Sequence, residues 1–552
     1  MSPKPNATPQ PGLLRSAGVV SMAIAVSRVT GLVRESVLSW LFGAGATFDA
    51  YVLGYRIPNL ARELFAEGAL ASAFVPTFTR YLATRSEEET RELANITASA
   101  LILIVGGVCA LGMLFAPAIV DLFAPGFHAV PGKWELAVSL ARIMFPFLLL
   151  VALSAQAQGM LYACHRYGIP AVSSSLFNVG SVIFGLTLGT WLGPRLGITP
   201  VRGMAFGVLI GGFAQLGFQL PSLWRLGFSW RPRWNLRRGF RDEGVRHILG
   251  LMGPAVIGNA SGQINILVNT NLATGLRDAA GHVMNGPVSW LSYAYRFFLL
   301  PLGLFGVAIA SAALPRLSRS AAHRNFDEFR ETLAGSLTMI LLLTVPSSVG
   351  LAILGESMIA IVYQHGRFLA FDTHQTALAL TCYVTGLAGY SALKLIAPAF
   401  YALGDARTPM LVSVATIAVN AAAAFSLSRY TALGFAGLAL SSSVVSTFSS
   451  IVLLVLLAPR IGGVRGREMT VALAKISVAA VVMGAVCYGT ITLSHAYAPG
   501  AAVARVADIV LGIPAGAISF YLVAAALRVP EVAEARDKVM RRVRGGQRDS
   551  VG

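Results

Sequence analysis

Residues 69–80 read ALASAFVPTFTR and residues 308–319 read AIASAALPRLSR, so the two stretches agree at six of twelve positions. Chance agreement gives roughly one or two matches, and the stretches therefore indicate an internal duplication. The same offset of 239 residues relates Tyr162 to Tyr401. Two agreements at one offset predict that the chain folds as two related halves.

The composition around this repeat is typical of a membrane protein. Of the 552 residues, 55% are hydrophobic and 12% are charged, and the net charge is +18. A soluble domain of this length could not cover its surface with so few charges. A bilayer core needs roughly 20 apolar residues for each helical crossing, and such stretches recur throughout the chain. The four cysteines are scattered singly, which favours buried core residues over disulfides or a zinc site.

Apolar runs bounded by charged and Gly/Pro-rich segments predict fourteen spanning helices. They lie near residues 13–42, 48–78, 92–124, 134–162, 168–193, 202–225, 248–276, 284–315, 330–363, 373–402, 408–428, 432–458, 469–494 and 502–528. Six predicted helices separate the repeated stretches, and because six is even the two copies cross the membrane in the same direction. The predicted fold class is all-α integral membrane, with two parallel-repeat six-helix lobes and two extra C-terminal helices.

The predicted spans divide the chain into six parts. These are a disordered cytoplasmic tail (1–12), an N-lobe (13–230), a basic cytoplasmic linker (231–247), a C-lobe (248–460), helices thirteen and fourteen (461–528) and a basic cytoplasmic tail (529–552). Parallel six-helix halves are typical of alternating-access transporters. Fold class alone does not establish function, which depends on the residues of a site.

The basic residues predict the orientation of the chain. Loops on the side of the N-terminus hold about 28 of the 43 lysines and arginines, and the opposite loops hold about 7. The positive-inside rule then places both termini in the cytoplasm. Basic residues around the linker alternate with Trp224, Trp230 and Trp234, which favours an anchor on anionic lipids over nucleic-acid binding.

Eight basic residues lie inside the predicted spans: Arg28, Arg34, Arg56, Arg62, Arg142, Arg296, Lys394 and Lys475. An arginine at mid-span costs about 2.5–3.5 kcal/mol to insert, so such residues face a protein interior or a water-filled cavity. Lys475 lies close enough to a helix end to extend its amine to the surface. For Arg142 and Lys394, a structural ion pair explains the buried charge as well as a functional role does.

Few carboxylates are available to neutralise the other arginines, and residues 288–315 around Arg296 contain none. Surplus positive charge favours an anionic ligand, because guanidinium groups match phosphate oxygens in bidentate geometry. Asn59 and Arg62 are three positions apart and share one polar stripe of a helix. The alternative is that these charges form only an ion-pair network that holds the first two helices together.

Catalytic motifs are missing from the sequence. It contains no Walker A motif, no HExxH and no GxSxG, and the eight histidines lack metal-ligand spacing. We therefore expect a protein that is not an enzyme and that uses no cofactor, metal or nucleotide.

Five segments resemble one family. They are residues 27–35 (SRVTGLVRE), 42–51 (FGAGATFDAY), 56–76 (RIPNLARELFAEGALASAFVP), 253–270 (GPAVIGNASGQINILVNT) and 397–409 (APAFYALGDARTP). Together they are similar to the MurJ/MviN family of lipid II flippases, and the resemblance runs across nearly the whole chain. That family belongs to the MOP superfamily, which also contains MATE drug exporters, all built as two six-helix lobes.

The resemblance implies transport of lipid II, the undecaprenyl-diphosphate-linked peptidoglycan precursor, from the inner to the outer leaflet of the bacterial cytoplasmic membrane. The family's substrate-binding positions match Arg28, Arg34, Arg62, Arg296, Ser27 and Asn59. Its gate positions match Asp49, Arg34 and Glu67. Helices thirteen and fourteen correspond to its groove for the lipid tail. The family often has acids where this chain has Tyr295 and Leu299, which makes the surroundings of Arg296 more positive.

Other functions stay open on the residues alone. A flippase for another polyprenyl-linked oligosaccharide fits the same charges, whereas a MATE-like drug exporter predicts a cavity lined by acidic and aromatic residues. A membrane enzyme acting on polyprenyl phosphates needs acidic or histidine groups at a membrane surface. We expect a monomer driven by the membrane potential or an ion gradient.

Overall fold

The structure, a computed structural model, describes residues 11–63, 71–231, 243–278, 280–529 and Val532. Its α-helices in chain order are α1 (Pro11–Phe42), α2 (Ala46–Arg62), α3 (Ala71–Thr84), α4 (Glu87–Leu114), α5 (Ala116–Phe123), α6 (Lys133–Met144), α7 (Phe147–Ala163), α8 (Gly168–Leu186), α9 (Gly193–Leu196), α10 (Pro200–Arg225), α11 (Glu243–Thr274), α12 (Pro287–Pro301), α13 (Ala308–Ala322), α14 (Phe326–Tyr363), α15 (Ala370–Val384), α16 (Leu387–Ala402), α17 (Arg407–Tyr430), α18 (Phe435–Leu457), α19 (Gly466–Tyr497) and α20 (Ala501–Ala526).

The chain is an all-α membrane protein, as the sequence predicts. Ten helical segments of the described residues are long and apolar enough to cross a bilayer, or eleven if α15 and α16, bent by 44° at their junction, form one span. The fourteen predicted spans also include α1, α2 with α3, and α11. The four described helices α1, α2, α3 and α11 fall outside that set, and the count of fourteen stays a prediction.

The described residues form two compact units. Unit 1 contains the described parts of Met1–Gln263 together with Arg277–Gly286, and unit 2 contains Ile264–Leu276 with the described parts of Pro287–Gly552. Helix α11 therefore begins in unit 1 and ends in unit 2. The segment that follows it, Arg277–Gly286, is called the 277–286 loop below and belongs to unit 1.

In each unit, a break of two residues separates two consecutive helices. In unit 1 the interruption between α6 and α7 includes Pro146, and in unit 2 that between α15 and α16 includes Thr385 and Gly386. Proline has no N–H to continue a helix. A Cβ at Gly386 would lie 2.4 Å from the Cα of Ser443, so only glycine fits there. Pro146 and Thr385 are 239 positions apart, which is the offset of the sequence duplication.

Close backbone contact joins α8 and α10 in unit 1. A Cβ at Gly207 would lie 2.4 Å from the carbonyl oxygen of Ser181 on α8, and one at Gly203 would lie 2.3 Å from the Cα of Gly189 in the helical turn that follows α8. Helices inside a bilayer have no hydrophobic driving force toward each other, so small residues that allow close packing are a main source of association. These glycines hold α8 in place, and α8 in turn contacts α1.

In unit 2, the last two helices pack on α14. One apolar cluster contains Leu342, Ile476 and Ala524, and a second contains Leu354, Met483 and Cys487. The α19–α20 pair is thus attached to unit 2 mainly through one long helix.

All four cysteines are free thiols, as predicted, and three of them are buried.

Candidate functional site

The first part of the candidate site lies where α1 crosses α8. The Nδ2 of Asn178 donates to the carbonyl oxygen of Ser27 at 3.1 Å and lies 3.3 Å from the hydroxyl oxygen of Thr30. A Cβ at Gly31 would lie 3.4 Å from the same nitrogen, so glycine leaves space for this amide to approach the backbone. Asn178 therefore fixes the turn of α1 that carries Ser27 and Arg28.

Arg34 is nearly buried on α1. Its Nη2 donates to Oε1 of Glu35 at 2.8 Å, and the two side chains are 11% and 10% exposed. The guanidinium carbon lies 5.3 Å from the ring centroid of Phe177 and 5.9 Å from that of Tyr55, which is cation–π range. Its Nε is buried without a hydrogen-bond partner among the described residues. A guanidinium with an unused donor can bind a further anionic oxygen.

Arg62 is oriented by its neighbour on α2. Its Nε donates to Oδ1 of Asn59 at 2.9 Å, and Nδ2 of Asn59 donates to Oε1 of Glu63 at 2.9 Å. The other Glu63 oxygen accepts from Nε2 of Gln263 on α11 at 3.0 Å. The polar stripe predicted for Asn59 and Arg62 is confirmed by their direct hydrogen bond.

Asp49 is fully buried in the first turn of α2. Its Oδ2 accepts from Nζ of Lys133 at 2.8 Å, and both side chains are 1% exposed. The same oxygen accepts from the backbone N–H of Gly286 at 2.8 Å. Lys133 also donates to Oδ1 of Asn285 at 2.9 Å, and its Nζ lies 4.3 Å from the ring centroid of Phe127. One buried ion pair therefore connects α2, α6 and the 277–286 loop.

The remaining predicted residues are placed as follows. Arg28 and Arg296 are exposed, and Arg296 belongs to unit 2. Glu67 lies outside the described residues. The gate expected from Asp49, Arg34 and Glu67 stays a prediction. In this structure Asp49 pairs with Lys133 and Arg34 pairs with Glu35.

The ring of Tyr295 occupies one position where an acid is expected from the family. It stacks 5.5 Å from the ring of Phe298 and meets the ring of Tyr383 edge-on at 5.5 Å. At position 295 the chain therefore has a member of an aromatic cluster in place of an acidic side chain.

Three contacts were missed by sequence reasoning: those of Lys133, Asn178 and Gln263. Lys133 pairs with a residue 84 positions away, whereas the sequence places it in a short loop between two predicted spans. No local pattern marks any of the three. The duplication offers one signal, because Lys133 lies 239 positions before Asp372, which is another buried charged residue.

The chemistry available at these residues is anion binding. Guanidinium groups on α1 and α2 are oriented by a carboxylate and by an amide, and one of them retains a buried unused donor. Within the described ranges, no group of three or more His, Cys, Asp or Glu side chains could hold a metal ion. The arrangement can bind, orient and exchange a phosphate-like ligand.

Comparison with known proteins gives a consistent family. The family model described as lipid II flippase MurJ matches residues 38–507. The lipid II flippase MurJ of Burkholderia cenocepacia is 32% identical over 444 residues, which cover 80% of this chain and 83% of that protein. A Vibrio cholerae serotype O1 protein named "Probable lipid II flippase MurJ" is 35% identical over 453 residues, covering 80% of this chain and 82% of that protein.

Solved structures show a related fold. A lipid II flippase MurJ in an inward closed conformation matches with a TM-score of 0.74 at 26% identity, covering 92% of this chain and 99% of that chain. An inward-facing MATE family multidrug transporter of the MOP superfamily matches with a TM-score of 0.59 at 17% identity, covering 80% of this chain and 94% of that chain. The second match is a likeness of fold alone.

The family model covers most of the chain, and it describes flippases, which are transporters and not enzymes. Together with the ten helical segments of the described residues that are long and apolar enough to cross a bilayer, this makes the protein a multi-pass protein of the bacterial inner membrane. The chain belongs to the MurJ family of lipid II flippases.

Proposed function

We propose that this chain moves lipid II from the inner to the outer leaflet of the cytoplasmic membrane by alternating access, without covalent chemistry. Membership of the MurJ family supports this substrate. The observation that carries the proposal is Arg34, a nearly buried guanidinium whose Nε donor is unused among the described residues. A diphosphate is an anion that such a donor set fits.

In this proposal, six side chains contact the head group: Ser27, Arg28, Arg34, Asn59, Arg62 and Arg296. Arg28 is exposed on α1 and is accessible to an incoming anion. Arg62 is already oriented by its hydrogen bond to Asn59, which reduces the side-chain entropy lost when it binds a ligand. The more positive surroundings of Arg296, where Tyr295 and Leu299 stand in place of acids, favour a doubly charged ligand.

Binding at Arg34 is an exchange of anions. Its present partner is Glu35 at 2.8 Å. A diphosphate oxygen that replaces the Glu35 carboxylate keeps the guanidinium compensated throughout the step. This matters because breaking a buried ion pair from one side costs about 3–5 kcal/mol. Glu35 then competes with substrate for Arg34 and promotes release after translocation.

Asp49, Arg34 and Glu67 form the gate in this proposal. Asp49 is held at present by Lys133 and by the N–H of Gly286. We propose that it exchanges Lys133 for Arg34 during the transport cycle. The exchange replaces one cation by another at the same carboxylate, so the buried charge stays paired in both arrangements.

The finer architecture belongs to the same proposal. Fourteen spans form two parallel six-helix lobes at 13–230 and 248–460, residues 461–528 hold the lipid tail, and both termini are cytoplasmic. The linker at 231–247 and the tails at 1–12 and 529–552 face the cytoplasm, and the basic residues of the linker and of the 529–552 tail contact anionic lipids. The protein acts as a monomer without nucleotide. The membrane potential or an ion gradient supplies the energy, at about 2.3 kcal/mol for each charge moved through 100 mV.

The proposal is tested by arginine substitutions in an assay of lipid II accessibility at the outer leaflet. Arg28→Ala and Arg296→Ala should abolish flipping while the protein remains in the membrane. The matched control is Arg316→Ala, which removes an exposed arginine 3.9 Å from Glu328 and should flip normally. Wild-type flipping by both site variants would overturn the assignment of these arginines.

Depletion of the protein in cells separates lipid II from other polyprenyl-linked substrates. Lipid II should accumulate on the inner leaflet, and other lipid-linked saccharides should keep their normal distribution. Accumulation of a different precursor, with lipid II unchanged, would replace the proposed substrate by that precursor.

A further inference from the structure

A second buried charged group lies in unit 2, outside the residues assigned above. Asp508 on α20 has a side chain that is 0% exposed. Its Oδ2 accepts from the hydroxyl of Ser357 on α14 at 2.6 Å and lies 3.1 Å from Nε2 of His495 on α19. Its Oδ1 is buried without a hydrogen-bond partner among the described residues. Acidic groups inside spanning helices are rare and commonly mark functional sites.

The charge of Asp508 depends on its neighbours. A buried carboxylate without a compensating charge is costly, and the Ser357 hydroxyl supplies one neutral hydrogen bond only. A protonated His495 compensates the carboxylate, and a proton on Asp508 removes its charge. An added proton on either residue therefore compensates the buried carboxylate.

His495 connects this pair to the surroundings. Its side chain is 49% exposed, whereas that of Asp508 is 0% exposed. His495 lies two residues before the end of α19, close to the short turn that leads to α20. An imidazole in this position can exchange protons with water at one ring nitrogen while the other faces the buried carboxylate.

Two other charged groups lie near the pair, one on α14 and one on α20. The helices that pack against α20 are α14 and α19. On α14, Glu356 precedes Ser357, has a side chain 58% exposed and contacts His374 at 3.7 Å. On α20, Arg505 lies one turn before Asp508. His495 is the titratable group for which the structure gives a direct contact with Asp508.

We propose that Asp508, His495 and Ser357 form a proton-binding site where α14, α19 and α20 meet. Starting from imidazole protonated on Nε2, a hydronium ion from bulk water delivers a proton to Nδ1 and leaves as water, while Nε2 releases its proton to Oδ2 of Asp508. The Nδ1–H bond and the Oδ2–H bond form as one O–H bond of hydronium and the Nε2–H bond break, and the imidazole ends as its other neutral tautomer. The ligand of this site is a proton from bulk water.

Proton occupancy changes how the α19–α20 pair is attached to α14. The same helices meet through Leu354, Met483 and Cys487, and the proton-binding site adds the polar contact at this junction. That contact is an ion pair or a neutral hydrogen bond, depending on which residue carries the proton. Packing of the α19–α20 pair therefore responds to pH at this end of the helices.

Infrared difference spectroscopy after a pH change tests the site on the purified full-length protein in lipid nanodiscs. The wild type should show a titrating carbonyl band of a protonated carboxyl group, and Asp508→Asn should lose it. The control is Asp121→Asn, because Asp121 also pairs with a histidine, His128 at 2.8 Å, but in an exposed setting. A band that persists in Asp508→Asn, or that disappears in Asp121→Asn instead, would overturn the proposal.

A second variant keeps the test decisive if Asp508→Asn does not fold. His495→Gln retains a hydrogen-bond donor but cannot relay a proton, so appearance of the carboxyl band after a pH jump should slow by about tenfold or more. An unchanged rate would show that the proton reaches Asp508 by another route and would overturn the role of His495. Neither measurement uses lipid II, so its outcome is independent of the flippase proposal.

Discussion

Units 1 and 2 join corresponding helices by buried contacts of different chemistry. In unit 1, α2 contacts α6 through Asp49 and Lys133, which are 2.8 Å apart and both 1% exposed. In unit 2, α12 contacts α15 through Trp290, whose Nε1 donates to Oδ1 of Asp372 at 2.9 Å. Lys133 and Asp372 are 239 positions apart, and Asp49 and Trp290 are 241 apart. The two contacts therefore lie within two positions of matching places in the duplicated sequence.

The difference shows what each contact can do. The Asp49–Lys133 contact joins two full charges, and its carboxylate can be satisfied by another cation. The Trp290–Asp372 contact uses a neutral donor, and Asp372 also accepts from the backbone N–H of Leu369 at 3.0 Å at the start of α15. Because the indole of Trp290 has a single N–H donor and carries no charge, this contact cannot exchange one cation for another. The unit 1 contact is suited to exchange, whereas the unit 2 contact is suited to a fixed junction.

Lys133→Met should have the largest effect among the variants of these contacts. It leaves the Asp49 carboxylate buried without its cation, which costs about 3–5 kcal/mol. The expected result is a lower free energy of unfolding of the purified protein in detergent. Lys475→Met is the matched control, because Lys475 is only partly buried and its Nζ lies 3.4 Å from the carbonyl oxygen of Arg528.

A double substitution tests whether the loss comes from the uncompensated charge. Adding Asp49→Asn to Lys133→Met removes that charge, so the double variant should be more stable than Lys133→Met alone. The coupling energy between the two positions should fall within about 0.5–3 kcal/mol, the range for residues in direct contact. Strictly additive losses would mean that the two charges do not stabilise each other.

Trp290→Phe should have a smaller effect on the corresponding contact of unit 2. The phenyl ring keeps most of the apolar packing against Phe435, whose ring centroid lies 5.0 Å from that of Trp290. The loss of the indole N–H leaves Asp372 with fewer donors, which costs about 1–3 kcal/mol for a buried acceptor. Unfolding of the same preparation measures the effect, and Trp191→Phe, at a tryptophan 70% exposed, is the control. A loss as large as that of Lys133→Met would contradict the distinction between the two contacts.

Features that depend on local spacing could be predicted from the sequence. The apolar runs predicted an all-α membrane protein, and the three-residue spacing predicted the stripe shared by Asn59 and Arg62. The partner of Asp49 could not be predicted, because Lys133 lies 84 positions away and lysine is almost never fully buried unless it is paired. Asp508 was missed for the same reason, since its contact to Ser357 spans 151 positions.

An exposed pair gives the smallest expected effect and tests whether burial gives the Asp49–Lys133 contact its strength. Asp121 on α5 lies outside the spanning helices of the structure, and its Oδ1 is 2.8 Å from Nε2 of His128 and accepts from Nε1 of Trp134 at 2.7 Å. These hydrogen bonds lower the pKa of Asp121, and the one from His128 contributes most. A lowered pKa stabilises the folded state above the ordinary value for aspartate, about 3.9, and this contribution is lost as the pH falls through the lowered value.

The fluorescence of Trp134 reports this loss, because its indole stacks on the His128 ring at 4.8 Å between centroids. Subtracting the signal of Trp134→Phe isolates it from the other tryptophans. The signal should change below the ordinary pKa of aspartate in the wild type and stay flat in Asp121→Asn, while global unfolding at neutral pH is nearly unchanged. Since both residues are about half exposed, water compensates each charge when the pair separates. A global destabilisation by Asp121→Asn as large as that by Lys133→Met would mean that pairing alone, without burial, accounts for the strength of the Asp49–Lys133 contact.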